Sequence, residues 1–393
     1  MPGLTGRYVN TAAPRELGGQ SIRAFVPHAL PPKIDLSHPD LLRRLTEANR
    51  ALGRLDGIRD MVPNPDLFLY FFIRKEALLS SQIEGTQSSL SDLLLIEADA
   101  APNVAYDDVA EVTNYVTAMN YGLERLQDIP LSTRLIREMH GLLMQGVRGR
   151  NKNPGEFRTT QNWIGGLLPG VASFVPPPPQ HVVPLMSDLE KFIHANTLSE
   201  APLIKAAFVH VQFETIHPFL DGNGRLGRLL ITLMLCDSRT LHAPLLYLSL
   251  YLKERRQDYY ELLSRIRSEG AWHDWLVFFL DGVIDTSKQA HQTARNLLSQ
   301  FASDAAALRG MGRAGDSALR VLEAMQKRPI CTVKTVMEQL AQDQAEISAP
   351  TVRAAMGRLT ELGIVRQPPG RQRDRIYIYD AMLDILSQGT DPL

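Results

Sequence analysis

The sequence predicts a mostly helical core carrying one small β-hairpin flap, followed by a C-terminal module of three helices and a second hairpin (α+β). Three observations support this. Apolar residues recur at helical intervals through residues 41–52, 66–83, 89–145, 203–216 and 226–236. That periodicity breaks from Gly146 to Pro179, a stretch with strand and turn signals. After Arg309-Gly310-Met311-Gly312-Arg313-Ala314-Gly315, a flexible boundary, the pattern changes character. The expected divisions are 1–105 (arm and a first long helix), 106–309 (core) and 310–393 (C-terminal module).

Composition narrows the class. At 393 residues and 44% hydrophobic, the chain has enough apolar content for two or three domains with sizeable cores. A formal net charge of -1 gives no global attraction to nucleic acid or to a membrane surface. No run approaches a spanning length of about 18 apolar residues, and Met1–Arg7 lacks a signal-like apolar core. The expectation is a cytoplasmic protein without membrane contact. Cys236 and Cys331 fall in different predicted domains and read as reduced core thiols.

Taken in order, residues 1 to about 35 are rich in Gly, Pro and Ala and read as an extended arm on the body. Pro63-Asn64-Pro65 opens a helix over 66–83, buried through Leu67, Leu69, Phe71, Phe72 and Ile73. It ends at Ser80-Ser81-Gln82-Ile83-Glu84-Gly85, where Gly85 suits a left-handed stop and Glu84 reads plainly as a surface carboxylate. Residues 89–145 read as two or three amphipathic helices, one through Leu135, Met139, Leu142 and Leu143, with His140 beside its apolar face as a core histidine. Gly155–Gly166 reads as a short strand and Gly-Gly turn, and Ala172–Val175 as its partner before Pro176–Pro179.

The chemistry concentrates in Ile216–Arg228. A helix over 203–216 arrives at His217, and Pro218 ends it there. Phe219 anchors the loop, while Gly222-Asn223-Gly224 can take positive φ at low cost and turn successive amides inward. A second helix begins directly after, so its free amides and the positive end of its dipole face the same spot. Arg225 and Arg228, three apart, can grip phosphate oxygens with forked hydrogen bonds. Asp221 supplies a hard oxygen for a metal beside a polyphosphate. A helix-capping histidine with solvated arginines is the plainer reading, and the complete constellation argues against it.

His217–Arg228 resembles the signature of Fic-domain proteins: His, any, Phe, any, Asp or Glu, Gly, Asn, Gly, Arg, two of any kind, Arg. The resemblance implies an all-α Fic core that transfers AMP from ATP to a protein hydroxyl. By motif position it implies His217 as general base and Asp221 as holder of Mg2+. Gly222, Asn223 and Gly224 would cradle the α and β phosphates, with Arg225 assisting. Leu226 and Gly227 complete the nucleotide stretch, and Arg228 would reach the γ phosphate. Ser80, three residues of any kind, Glu84 and Gly85 match the family's inhibitory motif, in which the glutamate pairs with the last arginine of the signature and the serine steadies the helix. The 155–175 hairpin stands where the family carries a flap over the active site, whose edge aligns the target segment. Tyr259 resembles a position near the adenine and reads equally as core; Trp272, Trp275, Phe278 and Phe279 read as core.

Residues 317–327, 333–340 and 348–362 with strands around 368–379 resemble a winged helix-turn-helix. Arg353 and Arg358 on its third helix, with Arg371, Arg373 and Arg375 on the wing, could meet phosphates, yet Asp316–Asp380 holds 10 Lys and Arg against 8 Asp and Glu, a modest +2. DNA binding and protein docking or homodimer formation stand side by side. The resulting reading is an autoinhibited protein adenylyltransferase using MgATP on a protein Ser, Thr or Tyr hydroxyl, its own included. The alternatives are a DNA-binding regulator using the Fic core as a nucleotide sensor, and a hydrolase that removes AMP.

Overall fold

The computed structural model describes residues 5–12, 21–61, 64–98, 104–146, 151–198, 201–309, 311–345, 347–368 and 375–393. The expected N-terminal arm is instead a hairpin. β1 (Gly6–Ala12) pairs antiparallel with β2 (Ser21–Pro27), Gly6 opposite Pro27 and Ala12 opposite Ser21. The Pro and Gly content masked a short apolar run in which Ile22, Ala24, Phe25 and Val26 are buried. β2 also joins the region over the site, since Phe25 N donates to Val175 O at 3.0 Å.

Each helix of the first half starts where its residues dictate. α1 (Pro39–Asp56) and α3 (Pro65–Ile83) carry proline in the first turn, and Asn64 accepts from Leu67 N to cap α3; α2 (Ile58–Met61) is a short link. Ser89 and Asp92 form a capping box on α4 (Leu90–Glu97). α5 (Tyr106–Arg125) follows, and Ser132 caps α6 (Thr133–Leu143).

Between α6 and α7 (Pro179–His194), the expected strands of the flap reduce to one antiparallel bridge, Ile164 with Phe174, around a 3-10 turn at Pro169–Val171. The physical reason is that residues 158–162 bond to the core instead of to a partner strand. Arg158 N donates to Pro218 O at 2.9 Å, and Asn162 Nδ2 to Phe219 O at 3.1 Å.

α8 (Pro202–Ile216) is buried on every side, so it forms the axis of the core, and α9 (Asn223–Asp237) packs against it. α10 (Ser249–Glu254), α11 (Arg256–Glu269) and the 38-residue α12 (Trp272–Arg309) close around them. Trp275 at the centre donates Nε1–H to Ala207 O at 3.1 Å, and Trp272, Phe278 and Phe279 are buried with it.

The C-terminal module comprises α13 (Arg313–Lys327), β3 (Ile330–Thr332), α14 (Val333–Gln342), α15 (Ala349–Glu361), β4 (Ile376–Ile378) and α16 (Asp380–Leu386). β3 and β4 are antiparallel, and Arg366 bridges Ile378 on the other side. Arg371 and Arg373 lie outside the described residues. Cys331 is buried and Cys236 half-buried, each without a disulfide. The segment after α16 is stitched to α3 and α10: Lys75 Nζ donates to Gln388 O at 2.7 Å, Gln82 Nε2 to Thr390 O at 2.8 Å, and Lys253 Nζ to Gly389 O at 3.3 Å. No described helix is long and apolar enough to cross a membrane.

Candidate active site

α8 ends at Ile216, and His217 takes a left-handed conformation, φ 49° and ψ 61°, with Pro218 barring a further helical turn. The imidazole therefore leaves the helix axis and lines a cavity, its side chain 17% exposed. The loop beyond it is held from three sides. Asn223 Oδ1 accepts from Phe219 N and its Nδ2 donates to Phe219 O, both at 2.9 Å. Phe219 stacks on His140 with centroids 3.7 Å apart. His140 in turn accepts Gly155 N at Nδ1 (2.8 Å), which makes Nε2 its donor to Asp221 O (3.0 Å). Burial pushes the His140 imidazole down to about 4, so it is neutral in this role. The expected core histidine is thus also the support of the loop.

Gly222, at φ 75°, precedes α9, whose first turn has no side-chain cap. Asn223 has its side chain committed to the loop, so only its main chain is available to an anion. Asp221 is exposed at the loop edge and its Oδ1 accepts from Gly222 N at 2.6 Å. Among the described residues no group of three or more His, Cys, Asp or Glu could hold a metal by itself. A single carboxylate suits an ion completed by substrate phosphates.

Arg225 and Arg228, both expected to grip phosphate oxygens, point in different directions. Arg228 points to α3: Nε donates to Ser80 Oγ at 2.9 Å, and Nη2 to Ser80 O at 2.8 Å and Glu84 Oε1 at 2.7 Å. Arg225 points away, buried against Glu111 at 3.1 Å and Met144 Sδ at 3.6 Å, because α5 and α6 flank that side of α9. Leu226 is fully buried in the core, so its side chain packs and does not face the cavity. Glu84 caps α3 with its side chain 36% exposed. Burial alone would raise its carboxyl, but Arg228 outweighs burial and holds it below the usual range. A Cβ at Gly224 would meet the Glu84 carboxylate, so glycine lets the two approach closely.

A cavity of about 590 Å3 brings His217, Gly224, Arg228 and Glu84 together with Ile164 and Phe174 of the flap. Tyr259 forms part of its wall yet is 1% exposed, its hydroxyl 2.9 Å from His210 Nε2. The core reading of that tyrosine holds, and one edge of it also forms cavity wall. Burial, with Arg158 adding, pushes His217 down to about 4, so the ring is neutral and able to accept a proton near pH 7.

Arg158 was not legible as a site residue. It is 2% exposed, and its guanidinium donates to His217 O at 2.8 Å, Pro177 O at 2.6 Å and Ile216 O at 3.2 Å. It thereby ties the flap to the backbone of His217, through carbonyls that carry no side-chain signal. Arg158→Lys cannot reproduce the fork and is expected to cost about 1.5 to 3 kcal/mol, read as a lower midpoint in denaturant unfolding. An unchanged midpoint would refute that account.

The Fic/DOC family N-terminal profile matches residues 42–124, and the Fic/DOC family profile residues 130–235. The protein adenylyltransferase Fic of Drosophila erecta is 30% identical over 203 residues, 51% of this chain and 38% of that protein. That of Drosophila grimshawi is 28% identical over 251 residues, 62% and 45% of the two chains. The chain thus spans less than half the length of these curated relatives. In three dimensions it is similar to the crystal structure of a Fic family protein from Desulfovibrio desulfuricans G20, which covers 89% of this chain and 98% of its own at TM-score 0.58 and 22% identity, a likeness of fold.

Proposed function

Since the chain belongs to the Fic/DOC family, we propose that it is an autoinhibited protein adenylyltransferase, moving AMP from ATP to a Ser, Thr or Tyr hydroxyl of a protein. The observation that supports this most is the single cavity in which His217 faces the uncapped start of α9 and Arg228 lies under Glu84. In the proposed step the hydroxyl oxygen forms a bond to the α phosphorus, and the bond from that phosphorus to the bridging oxygen breaks. Pyrophosphate leaves and the hydroxyl proton passes to Nε2 of His217. The Gly222–Gly224 amides and the dipole of α9 hold the phosphates and the charge that develops on them. When bound, Mg2+ held by Asp221 and the phosphates would neutralise charge on the leaving group.

Glu84 supplies the inhibition. With its carboxylate on Arg228, the guanidinium is not free to meet a γ phosphate, and Ser80 fixes it from the other edge. Incubation with each triphosphate labelled on the α phosphate, followed by mass spectrometry, tests the proposal. An AMP adduct on a hydroxyl side chain is expected; nucleotide binding without any adduct from the Glu84→Gly variant would overturn it.

For the C-terminal module we favour a winged helix, on the order helix, strand, two helices and paired strands. Arg353 is exposed on α15 and Arg375 precedes β4, whereas Arg358 donates to Ala314 O at 3.3 Å and Arg366 pairs with Asp380 at 2.6 Å. With two of its arginines already engaged, a protein-docking role is the better supported use. A salt-titrated mobility shift decides: no shift on any duplex at low salt agrees with docking, and a shift that weakens steeply with salt favours DNA.

A further inference from the structure

We propose that Glu214 is a positioning residue for His217, its carboxyl backing the Nδ1 edge of the imidazole so that Nε2 faces the hydroxyl and the protonated ring is stabilised. This rests on the adenylyltransferase reading of the same cavity. Glu214 and His217 lie three apart on the last turn of α8, and Glu214 Oε2 stands 4.0 Å from Nδ1. The Glu214 main-chain carbonyl also acts on the ring and favours its protonated form.

The carboxyl has been given room at this spot. Glu214 is 8% exposed, lines the cavity and has no hydrogen-bond partner for Oε1 among the described residues; His217 Nδ1 likewise lacks one. On the facing helix, a Cβ at Gly227 would overlap Glu214 Oε1, so glycine at this unspecified position of the signature admits the group. A buried carboxyl oxygen left without a partner is costly in stability, which a purely structural side chain would avoid. A separation of 4.0 Å is longer than a hydrogen bond, and such contacts often tighten only when substrate binds.

The proton balance is simple. The hydroxyl proton goes to Nε2, the Nδ1 proton stays on the ring, and Glu214 faces the resulting imidazolium without taking a proton. The charged groups around the pair are Arg158 beside the flap, Glu84 at the end of α3, Arg228 on α9 and Arg267 on α11, with the Tyr259 hydroxyl. Burial lifts the Glu214 carboxyl to about 7, against the pull of Arg228, while the ring stays neutral. Ionised Glu214 stabilises imidazolium, so the rate should rise as pH passes from 6 to 8.

The test uses the full chain in a Glu84→Gly background, with kcat and KM for ATP measured from pH 6 to 8. Adding Glu214→Gln should lower kcat about 10- to 100-fold, leave KM for ATP within about twofold and flatten the rise with pH. An unchanged kcat and slope would overturn the proposal. So would a loss confined to KM and to the preference for ATP over other triphosphates, which would make Glu214 a base-reading group. If Glu84→Gly itself forms no adduct, the adenylyltransferase reading fails instead. The inference is then decided by 15N NMR of His217 in the nucleotide-free protein, identified by its loss in His217→Ala. Glu214→Gln should shift the Nδ1–H tautomer population, and an unshifted spectrum rejects the role.

Discussion

His217→Ala is expected to abolish AMP transfer while leaving ATP bound. Positioned general-base catalysis contributes about 100- to 10,000-fold, and the neighbouring Glu214 carboxyl, although burial raises its basicity, sits at the Nδ1 edge of the ring, away from Nε2. Arg228 and Arg267 are cations, Glu84 is engaged by Arg228, and Tyr259 is locked to His210 with its hydroxyl driven well above its ordinary range by burial. Phosphate binding is proposed to rest on main-chain amides of Gly222–Gly224, which the substitution does not touch. The loop should survive it, because Phe219, Asn223, His140 and Arg158 hold the backbone without using the imidazole. The measurement pairs label incorporation from ATP carrying a labelled α phosphate with calorimetric nucleotide binding. Retained transfer would remove His217 from the chemistry. Lost binding would mean that the ring is structural.

What could be read in advance was what the chain states locally. The helix stop at Pro218, the positive φ at Gly222 and the proline-led start of α3 follow from residue type and short spacing, whereas the pairing of Glu84 with Arg228, 144 residues apart, was implied only by the family resemblance. What escaped was set by contacts distant in sequence. Arg225 is drawn to Glu111, 114 residues away, and Arg158 reaches the carbonyl of His217, 59 residues away. The N-terminal hairpin owes its place to Val175, which lies far outside any local window. Glu214 escaped for another reason: at helical spacing it looked like one polar residue in an apolar run, and only the glycine opposite it marks the space it occupies.

The Glu84→Gly substitution is expected to raise the initial rate of AMP transfer at least tenfold and up to about a hundredfold. A charge-assisted hydrogen bond is worth about 1.5 to 3 kcal/mol, and each ~1.4 kcal/mol is tenfold in rate. Arg228 is 1% exposed and Glu84 36%, so solvent screening on the carboxylate side places the effect toward the lower end. The same change should weaken the nucleotide-free protein, because a buried guanidinium then keeps only its two bonds to Ser80. ATP should therefore raise the melting temperature of the variant more than that of the parent, by mass action on a site whose arginine has been freed. The sign with pH also follows. Glu84 is held below the usual carboxylate range, so its stabilising contact is complete above the unfolded value and is lost only as pH falls through the lowered folded one. The ratio of variant to parent rate should accordingly not fall toward unity at pH 6. A ratio that collapsed toward unity at pH 6 would mean that Glu84 is already protonating there, and an equal rate at every pH would mean that the clamp does not restrain the enzyme.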